Sequence, residues 1–185
     1  MLELLEKTRS YRRFYEEKKI SEGDVRDIIS AVRLCPSAAN LQRIRIAPVT
    51  DEAECEGVFS CLGFAGYLRD WPGPVKGERP VAYLVIMAEK KPDVNLAIDA
   101  GLAAEAMLLV AREKGIGGCL FASFTAEGLC AAIGRESYEP ILVLALGYPK
   151  ETVVIEDVKD GNIRYYRDSD EVHHVPKLTL DEITV

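Results

Sequence analysis

Residues 81–115, VAYLVIMAEKKPDVNLAIDAGLAAEAMLLVAREKG, set the architecture of this chain. The first eight, 81–88, are almost wholly apolar, which is typical of a β-strand covered on both faces. A helical pattern follows from about Val94 to Lys114, and Gly115 is placed to end that helix. Because its middle has small or apolar residues on most faces, the sequence predicts a helix buried all round, at the centre of a domain or at a subunit interface.

Strands and helices alternate on both sides of this segment. The predicted elements are helices at 2–7, 21–35, 50–61 and 126–133, strands at 44–49, 119–124 and 140–148, and a terminal hairpin at 163–175. This interleaving indicates an α+β or α/β fold. Since the 185 residues contain no internal repeat or linker, we expect a single domain, 1–185.

The composition of the chain argues against two classes of partner, nucleic acids and membranes. The formal net charge of −7 argues against nucleic-acid binding, which needs a surplus of Lys and Arg on one face. The N-terminus carries charges in its first turns, and the apolar runs are short or interrupted. We therefore expect a cytoplasmic protein with no targeting segment and no membrane contact.

Metal ligation has no support in the sequence. Five cysteines form no CxxC pair and predict reduced, buried or partly buried thiols; they are Cys35, Cys55, Cys61, Cys119 and Cys130. His173 and His174 are adjacent, so on a strand they point to opposite faces and suit ordinary exposed or hairpin positions. No GxGxxG or P-loop motif is present.

Three polar segments are candidates for ligand binding. Residues 9–13 (RSYRR) could grip a phosphate, although a basic cluster is usually a solvated face. Residues 36–42 (PSAANLQ) combine small side chains with amides that suit a flat heterocycle, although the segment also serves as a helix-ending turn. Residues 120–123 follow the long helix and could present backbone N–H groups to a ligand.

Taken together and in order, these segments resemble the nitroreductase family of flavoproteins. Residues 8–14 (TRSYRRF) are similar to the family's RRSxRxF signature, and 36–42 to its PSxxNxQPW element. Residues 99–117 resemble the helix that ends in a GLG turn, and 144–149 (LALGYP) match the late core strand. Lys177 stands where the family has a C-terminal Arg or Lys.

The resemblance implies a nitroreductase-like α+β fold, with a central, mostly antiparallel sheet flanked by helices, in an intertwined homodimer. It implies an FMN-dependent oxidoreductase in which NADH or NADPH drives ping-pong reduction of an electron-poor small molecule, such as a nitro compound or a quinone. The chemistry is carried by N5 of FMN, so no catalytic side chain is predicted. Two alternatives stay open: specialised flavin chemistry (dehydrogenation, dehalogenation or flavin fragmentation) and non-catalytic flavin binding.

The resemblance also assigns roles to residues. It places Arg9 and Ser10 at the phosphate and ribityl chain, and Arg12 towards the N1/O2 edge of the ring. The 36–42 loop would contact the ring from the partner subunit, and 122–123 would offer a backbone N–H to N5. The full set of implied FMN-binding residues is Arg9, Ser10, Arg12, Pro36, Ser37, Ala38, Asn40, Gln42, Ala122, Ser123 and Lys177.

Several residues depart from the family pattern. Thr8 replaces the first Arg, and Arg43 with Ile44 stand where Pro and Trp are common. Residues 63–80 stand where longer members have a helical excursion over the active site. They predict a different or more open lid lined by Tyr67, Arg69 and Trp71, or side chains that simply pack under a loop.

Overall fold

The computed structural model describes residues 1–185. In chain order the elements are α1 (Leu2–Lys7), α2 (Glu22–Ser30), β1 (Arg45–Val49), α3 (Glu52–Ser60), β2 (Ala82–Ala88), α4 (Val94–Glu113), β3 (Gly117–Phe121), α5 (Ala126–Ile133), β4 (Glu139–Gly147), β5 (Val153–Asp157), β6 (Tyr166–Arg167), β7 (His173–Lys177) and α6 (Leu180–Ile183). Two short 3-10 turns lie at Ala31–Leu34 and Ala38–Asn40.

The main sheet has four antiparallel strands in the order β1-β2-β4-β3. Every residue of β2 is buried, which confirms the prediction of a strand covered on both faces. Leu84 belongs to the apolar cluster shared with α2 and α4, whereas Tyr83 belongs to the cluster shared with α3 and α5. Successive residues of β2 thus point alternately into the apolar layers on the two faces of the sheet. Helices packed on both faces of an antiparallel sheet confirm the predicted α+β class.

Helix α4 is the core helix of this fold. Asp93 caps its start by accepting a hydrogen bond from the Leu96 N–H at 2.9 Å, and Gly115, at φ +75°, follows its end. The helix is long and apolar enough to cross a membrane, but here Ala100, Ala104 and Met107 lie in the core against the sheet.

The prediction that this helix is buried all round is wrong for the single chain. Its exposed apolar stripe consists of Val94, Ile98 and Leu102, which are 72%, 57% and 45% exposed. These residues are spaced by four and share one helix face, and no other element of the chain covers that face.

A second, smaller sheet forms at the C-terminus, in the order β5-β7-β6. The predicted hairpin is confirmed by the antiparallel pairing of β6 with β7. Strand β5 was not predicted, because its partner β7 runs parallel to it and lies far along the chain, so no local turn signals the pairing.

The edge of β3 positions the N-terminal segment. This strand covers Gly117–Phe121 rather than the predicted 119–124, and Ser10 forms a parallel bridge with Gly118. The Tyr11 N–H donates to the Gly118 carbonyl at 3.0 Å. A β-carbon at Gly117 would lie 2.6 Å from Cδ2 of Tyr11, so glycine is required for this close approach. Ser10 and Arg12 are thereby held beside the main sheet.

Candidate functional site

The first polar cavity, the N-terminal pocket, has a volume of about 270 Å³. Its wall consists of Arg12, the small residues Gly63, Ala65 and Gly66, the end of β3 through Ala122 and Ser123, and Tyr165. The structure therefore brings together three of the residues predicted from sequence, Arg12, Ala122 and Ser123. The small residues Gly63, Ala65 and Gly66 keep the pocket open beside the Arg12 side chain.

Arg12 contributes a positive charge that no carboxylate neutralises. Its Nη1 donates to the Ser10 carbonyl at 3.1 Å and lies 3.4 Å from Nε2 of His173. Its neighbour Arg13, in contrast, pairs with Glu78 and Glu171, each at 2.7 Å. An unpaired guanidinium in a half-buried position is suited to an anionic ligand.

Glu151 fixes the backbone beside this pocket. Its side chain is 1% exposed, accepts hydrogen bonds from the N–H groups of Arg12 and Arg13, and pairs with Arg167 at 2.9 Å. Glu151 and Arg167 lie 139 and 155 residues from Arg12 along the chain, so sequence spacing gave no signal for them.

Besides the 36–42 loop and Ser10, two further predicted residues do not line the N-terminal pocket, Arg9 and Lys177. Arg9 folds back on α1, where its Nη2 donates to the Leu5 carbonyl at 2.6 Å, and its Nε is buried without a partner. Lys177 is exposed at the end of β7 and its side chain makes no ion pair. Within one chain, then, neither residue reaches the pocket that contains Arg12.

The second cavity, the loop pocket, has a volume of about 420 Å³ and is lined by Pro36, Ser37, Asn40 and Gln42 among others. The loop is strained, since Ala39, Asn40 and Gln42 have positive φ angles of 49°, 53° and 48°. Non-glycine residues in this region cost of order 1 kcal/mol each and cluster at ligand-binding sites.

Asp99 of α4 holds the strained loop in place. It is buried, and its carboxylate accepts the Ala38 N–H at 3.0 Å. Within the loop, the Gln42 N–H donates to Oγ of Ser37 at 3.2 Å. Sequence reasoning missed Asp99, although a lone acidic residue on the apolar side of a helix is a usable signal for a buried hydrogen-bond acceptor.

Arg43, a departure from the family pattern, anchors the same loop. Its guanidinium donates to both oxygens of Asp93, at 2.7 and 2.9 Å. These bonds hold the pKa of the Asp93 carboxyl well below its usual range. Arg43 thus ties the end of the loop to the N-terminus of α4.

The two pockets share no residue within one chain. The loop pocket lies instead beside the exposed stripe of α4, because Ala38 lines a shallow depression together with Ile98 and Leu102. The predicted site residues are therefore divided: one set lines the N-terminal pocket, a second set lies at the loop pocket, and Arg9, Ser10 and Lys177 line neither.

The three residues predicted as possible lid residues in the 63–80 segment differ in their surroundings. Trp71 meets the Phe64 ring edge-on at 6.0 Å and lies 4.3 Å from the Arg167 guanidinium, so packing under the loop is confirmed for it. Tyr67 lies 4.9 Å from the Tyr165 ring, which borders the N-terminal pocket. Arg69 is exposed and forms no ion pair.

The two histidines do lie on opposite faces of β7, as predicted. His174 is held by Asp168 at 3.0 Å and by Glu156 at 3.2 Å, and these carboxylates raise its pKa. His173 lies in the β6–β7 hairpin, one of the two kinds of position predicted for it, but it is only 1% exposed, and burial lowers its pKa to about 4.

The buried His173 predicts a pH dependence of stability. Its ordinary pKa is 6.5, so below that pH the unfolded chain binds a proton that the folded chain resists until about pH 4. The free energy of unfolding should therefore fall as the pH is lowered from 6.5 to 4, by about 3 kcal/mol at most. Urea unfolding at several pH values should show that the free energy of unfolding depends less on pH in His173→Gln than in wild type. A His174→Gln control should keep the wild-type dependence on pH between 6.5 and 4, because the raised pKa of His174 affects stability above pH 6.5. If wild type and His173→Gln lose the same free energy of unfolding over this range, the assignment to His173 is contradicted.

The architecture is that of an α+β protein of the nitroreductase-like fold class. The chain belongs to the nitroreductase family, because the model of the Nitroreductase family matches residues 5–60 and 65–148.

Relatives and solved structures agree with this assignment. YdgI of Bacillus subtilis, provisionally named an NAD(P)H nitroreductase, is 26% identical over 182 residues, covering 79% of this chain and 87% of YdgI. The fold is shared with a nitroreductase family protein from Streptococcus pneumoniae TIGR4, at a TM-score of 0.69 and 18% identity over 100% of this chain and 98% of that one. It is also shared with an FMN-dependent nitroreductase from Clostridium difficile R20291, at a TM-score of 0.67 and 22% identity over 92% and 94% of the two chains.

Proposed function

We propose that this protein is an FMN-dependent oxidoreductase that uses NADH or NADPH to reduce an electron-poor small molecule, such as a nitro compound or a quinone, by a ping-pong mechanism. The observation that carries the proposal is the uncompensated guanidinium of Arg12 in a pocket that also contains Ala122 and Ser123. Membership of the nitroreductase family and the FMN-dependent neighbour in the same fold support it.

The residues present fit FMN. The small residues of the N-terminal pocket leave room for a flat ring edge, and the guanidinium of Arg12, which pairs with no carboxylate, is a donor available to an anion there. When bound, FMN would supply the redox chemistry, accepting a hydride from the nicotinamide and passing two electrons to the second substrate.

The protein's own residues would bind and orient the cofactor. We assign Arg12 to the electron-rich edge of the ring, where a fixed cation stabilises negative charge. Backbone N–H groups at Ala122 and Ser123 would hold the ring from the end of β3. Arg9, Ser10 and Lys177 would bind the ribityl and phosphate groups.

We further propose that the working form is a homodimer, each subunit a single domain of residues 1–185. The exposed stripe of α4 is an apolar surface that a second copy would cover, and the loop pocket lies beside it. Association through this face would bring Pro36, Ser37, Ala38, Asn40 and Gln42 of one subunit to the N-terminal pocket of the other. Two half-sites that are separate in one chain would then form one site.

Purified protein provides the test. We expect a yellow protein with flavin absorbance, or uptake of added FMN at one per subunit, and bleaching by NADH or NADPH without oxygen. Reoxidation by a nitroaromatic or a quinone would complete the cycle. Flavin uptake without bleaching would favour non-catalytic flavin binding, and a chain that takes up no FMN would contradict the proposal.

A further inference from the structure

One side of the N-terminal pocket is formed by Tyr165, next to the C-terminal sheet. Tyr165 directly precedes β6 and lines the pocket, and His173 of β7 lies behind it. Both residues lie beyond residue 148, where the match to the family model ends. The part of the chain outside the shared family region therefore contributes to the candidate site.

Tyr165 is held from several sides. Its ring lies 4.9 Å from the Tyr67 ring and 5.3 Å from the His173 ring, and its hydroxyl oxygen accepts the Tyr67 N–H at 3.3 Å. The Arg12 guanidinium carbon lies 5.1 Å from the ring centroid, within the range of a cation–π interaction. The ring is thus a fixed surface for the guanidinium.

His173 holds the same guanidinium from another direction. Its Nε2 is 3.4 Å from Nη1 of Arg12, and burial keeps the imidazole neutral, so Nε2 can accept while Nδ1 carries the proton. Unlike the carboxylates around Arg13, a neutral imidazole and an aromatic face orient a guanidinium without neutralising its charge. Arg12 is held in position and stays available to an anion.

We propose that Tyr165 and His173 are positioning residues that fix the Arg12 guanidinium in the N-terminal pocket for the electron-rich edge of FMN. This inference rests on the proposed function, in which Arg12 contacts the cofactor. It adds that a sheet outside the matched family region sets the geometry of that contact.

The test is a double-mutant cycle on FMN affinity in the full chain, followed by flavin fluorescence. Tyr165→Leu should raise the dissociation constant roughly 3- to 20-fold, and Tyr165→Phe, which keeps the aromatic face, should restore most of the affinity. His173→Leu should also weaken FMN binding. His173→Gln keeps a hydrogen-bond acceptor for the Arg12 guanidinium, so it should weaken FMN binding less. The loss caused by Tyr165→Leu should disappear in an Arg12→Ala background, because the group being positioned is then absent.

Tyr166→Leu is the matched control, since Tyr166 lies next in the chain and stacks on His174, 4.7 Å away on the opposite face of the small sheet. The inference would be overturned if Tyr165→Leu and Tyr166→Leu lost the same FMN affinity. It would also be overturned if Tyr165→Leu lost as much affinity in the Arg12→Ala background as in wild type. An unchanged affinity in Tyr165→Leu would overturn it as well. If wild-type protein takes up no FMN, the proposed function fails. The same cycle on urea unfolding of the cofactor-free chain then tests the Arg12–Tyr165 contact, and absence of coupling overturns it.

Discussion

Replacing Arg12 with alanine is expected to raise the dissociation constant of FMN roughly 10- to 100-fold, the usual effect of removing a charge-assisted hydrogen bond. The side chain makes no ion pair within the protein, so the folded state loses little when it is removed. The measurement is titration of the cofactor-free chain with FMN, combined with a urea unfolding curve.

Arg13→Ala is the control for this prediction. Arg13 pairs with Glu78 and Glu171, so its removal should lower the free energy of unfolding and leave FMN affinity close to that of wild type. If Arg12→Ala binds FMN as tightly as wild type, the assignment of Arg12 to the cofactor is wrong.

Placing a charge on the exposed stripe of α4 should separate the subunits. Ile98→Asp puts one carboxylate from each subunit at the middle of the proposed interface. Burying even one of them unpaired costs about 3 kcal/mol, so dimerisation should weaken by about 100-fold or more. Analytical ultracentrifugation should then show a monomer that has lost FMN uptake, because the loop residues of the partner are no longer supplied.

Val75→Asp serves as the control for the stripe variant. Val75 is 66% exposed, similar to Ile98, but lies outside the stripe. This variant should remain a dimer with wild-type FMN uptake. A folded Ile98→Asp monomer that binds FMN as tightly as wild type would show that the site does not need a second subunit.

Much of the fold could be predicted because its signals are local. The uninterrupted apolar run of β2 and the long periodic pattern of α4 depend on residues that are neighbours in sequence, and the structure confirms both. Ser21, the first residue of the predicted helix at 21–35, caps helix α2 and accepts the Asp24 N–H at 3.0 Å. These features need no knowledge of distant partners.

The residues that hold the candidate site in place could not be predicted, because their partners are distant in the sequence. Arg43 and Asp93 are 50 residues apart, and Glu151 is 139 residues from Arg12. Such pairs are brought together only by the tertiary fold, and each residue alone resembles an ordinary surface charge. Motif resemblance located residues that line the two pockets, such as Arg12 and Asn40, together with some that line neither, such as Arg9 and Lys177, but not the residues that hold them.

The strained turn at 38–42 limits how this protein can change. Glycine at position 39 would relieve the left-handed backbone at φ 49° and stabilise the fold, yet it would also free the segment that Asp99 and Arg43 hold in place. Directed evolution that selects for heat resistance and function together should therefore find its gains on the helices and outer strands. Mutational scans should show that substitutions in this turn which raise the free energy of unfolding also lower turnover.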